Sequence, residues 1–351
     1  TTNENITHVS LYYMIINVIH ALGSMLIGNI IKDDKYGKTK ILSIGVVIRA
    51  IFILFIVLLG KRLTDMFIFV AIFCGISETL YWSTHEMIFV GITNNNNRKS
   101  YMATKKIFST IVNIIAPIIL GTTIELYSFT KIAVYVFVLS VIQIIISMQI
   151  KMDTETNTEE SKFSIKNYIN SIKTKRDLKV HEYYKSNLLY GIVENPMKTL
   201  VTIITIMTFK TSLNLGIITT IFSMFQIATM YMYKKFYNKN NARYILLIVS
   251  ILIFVGAIGL VIYIGKPTLI IYNFACTTGL CIFDAVYNTQ KGNLIKECNI
   301  EKYDVEHIMF NSILTSLSRF IGFFLILIVF SLLHFFFLID NLVPLKYNLR
   351  R

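Results

Sequence analysis

Apolar runs long enough to cross a bilayer recur along the whole length of this 351-residue chain. They lie at roughly 9–31, 41–60, 66–92, 102–124, 129–150, 187–209, 212–233, 244–264, 268–292 and 307–331, and a shorter run follows at 332–342. About 20 apolar residues make one helical span. Hydrocarbon offers backbone N–H and C=O groups no partners, so each run must satisfy its own and form a helix. Buried helices of a soluble protein would carry polar faces, which these segments mostly lack. The chain is 54% hydrophobic and 15% charged, against about 25% charged in soluble domains. The expected fold is an all-α, polytopic membrane helix bundle.

The net charge of +14 invites a nucleic-acid reading, but its distribution points elsewhere. Lys32, Lys35, Lys38 and Lys40 follow the first run, Arg98 and Lys99 the third, and eight Lys and Arg fall in 151–186. Lys234, Lys235, Lys239 and Arg243 follow the seventh run, and Lys296 and Lys302 the ninth. The alternate loops hold only Lys61, Arg62, Lys131, Lys210 and Lys266. Basic residues concentrate in cytoplasmic loops, so these loops are expected in the cytoplasm of a multi-pass cell-membrane protein. No nucleic-acid partner is needed to explain the charge. Cys74, Cys276, Cys281 and Cys298 show no metal or disulfide spacing. No nucleotide-binding glycine loop or nucleophile–base arrangement appears, so no enzyme is expected.

Two acidic residues sit inside apolar runs with the same spacing to a tyrosine: Glu78-x-x-Tyr81 and, 206 residues later, Asp284-x-x-Tyr287. The offset also lays run 9–31 on 212–233, run 102–124 on 307–331, and the loop 32–40 on 238–246. The chain therefore reads as two parallel copies, pseudo-symmetric halves of up to six transmembrane helices. The first bundle is expected at 1–150, a linker at 151–186 and the second bundle at 187–351. Within the linker, Ile165, Tyr168, Ile169 and Ile172 recur at helical spacing, which predicts an amphipathic helix on the membrane face or in solvent. The offset gives run 187–209 no mate ahead of residue 5, and run 129–150 a mate reaching past the last residue. A missing first helix and an incomplete last one are the expectation.

The loop after the first run reads Asp34-Lys35-Tyr36-Gly37-Lys38-Thr39-Lys40. It resembles the signature loop between the second and third helices of the major facilitator superfamily, an Asp-Arg-x-Gly-Arg-like motif. Lysine replaces arginine here, and the glycine expected four residues before the acid is Ile30. The resemblance implies that Asp34, Lys35, Gly37 and Lys38 form a cytoplasmic gating loop latching the halves together. Ala116-Pro117-x-x-x-Gly121 is similar to a motif of antiporter-type members. The arginine that many proton-coupled members carry in their fourth helix is absent from 66–92.

Charges inside a bilayer cost free energy and so mark cavities or partners. Glu78, Trp82 and His85 share one helical face, a stripe suited to substrate binding or proton relay. Glu86 points off that stripe and reads as structural. Asp284 and Asn288, with Lys291 beyond, repeat the pattern, and Arg319 in the next run is an expected partner for Asp284. Glu194 and Lys198, four apart, read either as a local ion pair or, by the resemblance, as substrate contacts on a cavity-lining helix. Lys105 and Lys106, with Lys198, leave an anionic substrate open. Arg49 has no assigned role beyond pairing or snorkelling.

The resemblance implies a secondary transporter moving a small molecule by alternating access, with proton-coupled efflux by an antiporter as the leading expectation. An uptake permease for a sugar, peptide or organic anion is the alternative. A non-transporting accessory protein or inactive remnant is the alternative of another class. No cofactor or metal is expected beyond coupling protons. The expected partners are the lipid bilayer and the substrate, with the chain a monomer.

Overall fold

A computed structural model describes residues 2–32, 37–63, 65–94, 96–126, 129–149, 162–175, 178–209, 212–238, 241–263 and 265–348, and they form helices joined by turns. The first five helices are α1 (Thr2–Lys32), α2 (Lys38–Leu59), α3 (Phe67–Ile92), α4 (Arg98–Leu126) and α5 (Phe129–Gln149). A short helix α6 (Ile165–Lys175) leads to α7 (Leu178–Phe209), α8 (Ser212–Phe236), α9 (Ala242–Ile262), α10 (Lys266–Glu297) and α11 (Asp304–Asn348). Gly37 supplies the turn into α2 with φ +65°, a conformation that costs glycine little. Asp34 and Lys35 lie outside the described residues.

Helix packing follows the 206-residue offset, which carries α1 to α8, α2 to α9, α3 to α10 and α4 to α11. Within the first copy α3 packs on α1 and α2; within the second α10 packs on α8 and α9. Between copies, α1 lies along α11 and its symmetry mate α8 lies along α4. Helix α7 packs on α8, α10 and α11. Small residues permit the closest approaches. A Cβ on Gly45 of α2 would stand 2.9 Å from the Tyr81 backbone nitrogen of α3, and on Gly322 it would run into the Ile192 carbonyl of α7.

Among the described residues, six helices are long and apolar enough to cross a membrane by length and composition: α1, α2, α3, α9, α10 and α11. Helices α4 and α7 are of comparable length and carry Lys105, Lys106, Glu194 and Lys198 inward. The outer helix α9 exposes Leu247, Ile248, Phe254 and Val255, and α5 exposes Leu139 and Ile146. Such continuous apolar surface suits lipid contact.

The end that carries the basic loops is closed by a hydrophobic cluster drawn from both copies, including Ile27, Ile31, Met87, Tyr287, Leu294 and Met309. Two lysine clasps flank it. Lys32 Nζ at the end of α1 meets Glu306 Oε2 of α11 at 3.1 Å, with both side chains almost fully buried. Lys99 Nζ at the start of α4 donates to the Tyr237 carbonyl after α8, at 2.7 Å. These are the α1–α11 and α4–α8 seams, so the clasps obey the same pseudo-symmetry.

Two features differ from the sequence reading. Helix α6 docks one face on the bundle, a contact absent from the sequence reading, while Lys166, Asn167 and Lys173 stay exposed. Tyr168 is fully buried and its hydroxyl lies 2.6 Å from that of Tyr184 and 2.7 Å from His307 Nδ1. The apolar face of the helix finds protein through Tyr168 and Ile172. The run at 332–342 is also no separate element, because α11 continues through it to Asn348.

Candidate functional site

A cavity of about 570 Å³ lies between the copies, walled by α1, α3 and α4 on one side and α7, α10 and α11 on the other. Glu78, Trp82, His85, Glu194, Asp284, Asn288 and Arg319 line it, as do Lys105 and Lys106. Lys198 stands behind the wall and reaches two of these acids. The volume suits a small organic molecule, since ligand pockets run from about 300 to 1,000 Å³.

Glu194 and Asp284 share one network of cations, and Glu86 and Glu78 each have a partner of their own. Arg319 donates to Glu194 Oε2 at 3.1 Å, and Lys198 bonds the other Glu194 oxygen. Asp284 is met by Lys106 at 3.2 Å and Lys198 at 3.6 Å, and accepts a hydrogen bond from the Tyr190 hydroxyl. Lys106 belongs to α4 and Asp284 to α10, so this pair bridges the copies. A second bridge joins Lys291 of α10 to Glu86 of α3 at 2.8 Å. Glu78 has the longest contact of the four, 3.7 Å to Arg49 Nη2, and both side chains are about one-third exposed.

Several expectations are corrected by this geometry. Arg319 pairs with Glu194 rather than with Asp284, because α7 and not α10 presents an acid to it. Glu86 faces the cavity and the buried Lys291, and Ser312 donates to it at 3.3 Å. Arg49 acquires a role, neutralising Glu78 and lying 5.1 Å from the centroid of the Tyr81 ring. Asn288 turns its amide back to the Asp284 carbonyl at 2.8 Å. Of the gating-loop residues, Gly37 and Lys38 sit at the start of α2, and the clasps at this end are made by Lys32 and Lys99.

Other cavity residues were not singled out from the sequence. Tyr12, Tyr13, Asn17 and His20 of α1 line it, and His20 Nδ1 lies 2.7 Å from Ser316 Oγ of α11. The signal was available: Asn17, His20 and Ser24 recur at helical spacing in an otherwise apolar run. Among the described residues no cluster of His, Cys, Asp and Glu is arranged to hold a metal ion.

A two-copy helix bundle around a charged internal cavity defines a membrane transporter fold. The family model of the Major Facilitator Superfamily matches residues 3–295, and the chain belongs to that superfamily. Its structure resembles the crystal structure of the human organic anion transporter MFSD10 (TETRAN), with a TM-score of 0.61 at 12% identity over 93% of this chain and 77% of that one. At that identity the likeness concerns the fold. No curated protein matches the sequence.

Proposed function

We propose that this protein is a secondary transporter that moves a small organic anion across the cell membrane by alternating access, with a proton travelling in the same direction. In this reading the basic loops and α6 are cytoplasmic. The observation that carries it is the charge of the cavity. Lys105, Lys106 and Arg319 line it, and Arg49, Lys198 and Lys291 pair with its acids from outside the lining; together they stand against Glu78, Glu86, Glu194 and Asp284. Six cations against four carboxylates leave two positive charges, with both neighbouring histidines counted neutral. Uncompensated cations in a low-dielectric bundle are costly and favour a bound anion. The human structural neighbour is described as an organic anion transporter, a substrate class this cavity suits.

Glu78 is the proposed proton carrier. It lines the cavity and has the longest ion-pair contact of the four acids, so it is the acid most readily released from its cation. Protonating it removes a negative charge beside the anion site. Two helical turns separate Glu78 from His85, about 11 Å. At an effective dielectric of about 20, one unit charge at that distance is worth about 1.5 kcal/mol. That is about a tenfold change in affinity, and linkage makes it reciprocal: the proton favours the anion and the anion the proton.

Proton-exchange efflux of a partly apolar molecule is the second reading. It shares the cavity and Glu78, and the antiporter-like Ala116-Pro117-x-x-x-Gly121 segment favours it. It requires a solute whose binding a proton opposes, hence a cation or a neutral molecule that competes for the acid. Counterflow in proteoliposomes, with radiolabelled anionic, neutral and cationic solutes, separates the two. The proposal expects exchange of aromatic sulfonates and carboxylates; exchange confined to cations would reverse the assignment.

A further inference from the structure

Five of the six cations in and around the cavity have a carboxylate within 4 Å: Arg49, Lys106, Lys198, Lys291 and Arg319. Among the described residues Lys105 has none. Its Nζ lies 3.3 Å from His85 Nε2 and 5.7 Å from the centroid of the Trp82 ring, over its face. A lysine ammonium has three donors, and these neighbours leave it without a charged acceptor. All three residues line the cavity. Trp82 remains 38% exposed, which keeps the indole accessible from the cavity.

We propose that Lys105, Trp82 and His85 form an anion-binding subsite that takes the charged head of an aromatic or otherwise apolar organic anion. The inference rests on reading the cavity as the transport site. The ammonium supplies a charge-assisted hydrogen bond to a carboxylate, sulfonate or phosphate oxygen. The Trp82 face aligns the lysine by cation–π attraction and offers a surface to a flat body. Phe89 and Met102 extend the apolar wall beside it. The other cations are less suited, because engaging Lys106, Lys198 or Arg319 would strip Asp284 or Glu194 of a counter-charge in the membrane interior.

Trp82 is the only tryptophan of the chain, so its fluorescence reports on this subsite alone. The full chain in lipid nanodiscs is titrated with benzenesulfonate and with its uncharged isostere, benzenesulfonamide. The expected result is a saturable change in emission with the sulfonate and none with the sulfonamide. Lys105→Gln should weaken sulfonate binding by about tenfold or more, whereas Lys105→Arg stays within a few-fold of the parent. Chloride should compete.

Equal responses to both ligands, or no saturable response to either, would overturn the subsite without any variant being made. So would undiminished sulfonate affinity in folded Lys105→Gln. Flux of benzenesulfonate into proteoliposomes separates the two levels of failure. Flux that survives Lys105→Gln with unchanged affinity removes the subsite and keeps the anion transporter. Flux of neutral or cationic solutes only removes the transporter reading itself.

Discussion

At the scale of single residues, the membrane-embedded charges were the most legible part of the site, and their pairings the least. Glu78, Glu194, Asp284 and Arg319 stand out in the sequence because a charge inside an apolar run is costly wherever it points. Which cation meets which acid depends on helix rotation and inter-helix distance, and a one-dimensional pattern contains neither. The sequence pattern therefore points Arg319 to Asp284 and leaves Glu86 off the Glu78–Trp82–His85 stripe, whereas the assembled helices pair Arg319 with Glu194 and Glu86 with Lys291. A helical stripe covers only part of a helix that several neighbours contact from different sides, and α3 packs on α1, α2 and α11. Glu78→Gln should leave anion binding intact but abolish its dependence on pH. Measuring the dissociation constant at acid and neutral pH checks this, since an unchanged pH dependence would place the coupling proton on another group. Lys291→Met should be far more damaging to stability. It leaves Glu86 facing the cavity without its cation, and breaking such a buried pair costs about 3–5 kcal/mol. A thermal unfolding scan in detergent reads the loss, and Glu86→Gln combined with Lys291→Met should recover part of it.

At the scale of helices, the apolar runs located the elements well because the bilayer leaves a spanning segment little choice but helix. Their ends were harder. Helix α11 extends through a run that looked separate, since Leu, Phe and Ile at 330–339 favour continuation over a turn. The surprise was α6: its periodic face was visible in Ile165, Tyr168 and Ile172, but nothing local said whether lipid, water or protein would cover it. The answer depends on Tyr184 and His307, distant in sequence. Tyr168→Phe removes one hydroxyl from a buried triad in which Tyr184 still reaches His307 at 2.7 Å, at a cost of about 0.5–1.5 kcal/mol. Limited proteolysis of the 151–186 linker should accelerate in that variant, whereas an unchanged rate would show that α6 is held by its apolar face alone. Gly45→Ala tests helix contact more severely. Its Cβ would meet backbone atoms of Tyr81 and Leu80 at 2.9 and 3.0 Å, and neither can move without displacing α3. Overpacking of this kind costs about 1–3 kcal/mol, visible as a lower melting temperature with the glutamate and lysine pairs of the cavity still present.

At the scale of the whole molecule, the 206-residue offset was the strongest signal. It emerged from two acid–tyrosine pairs and reappears in the packing of α1 on α11 and α8 on α4. Duplicated halves seamed by two equivalent helix pairs suit a rocking motion, because each seam can open at one end while it closes at the other. The clasp of Lys32 on Glu306 and the contact of Lys99 with the Tyr237 carbonyl close the basic-loop end in this state. Lys32→Ala should shift the protein toward the state open at that end. Cysteine accessibility at positions along the α1–α11 seam would rise in the variant; unaltered accessibility would mean that the hydrophobic cluster alone keeps this end closed. The chemistry of the solute was not legible from composition. The overall charge of +14 is concentrated in the loops, and only the assembled helices bring the interior cations and carboxylates behind the proposed anion preference together.

The coupled movement of proton and anion is the central claim, and the internal pH of proteoliposomes tests it most directly. Vesicles containing the purified chain and an internal pH-sensitive dye are prepared at equal pH on both sides, with the membrane potential clamped. Benzenesulfonate, which stays anionic throughout the working range, is then added outside. The account predicts that the interior acidifies as the anion enters, and that Glu78→Gln abolishes the acidification. Alkalinisation on anion entry, or anion entry with no pH change, would contradict it.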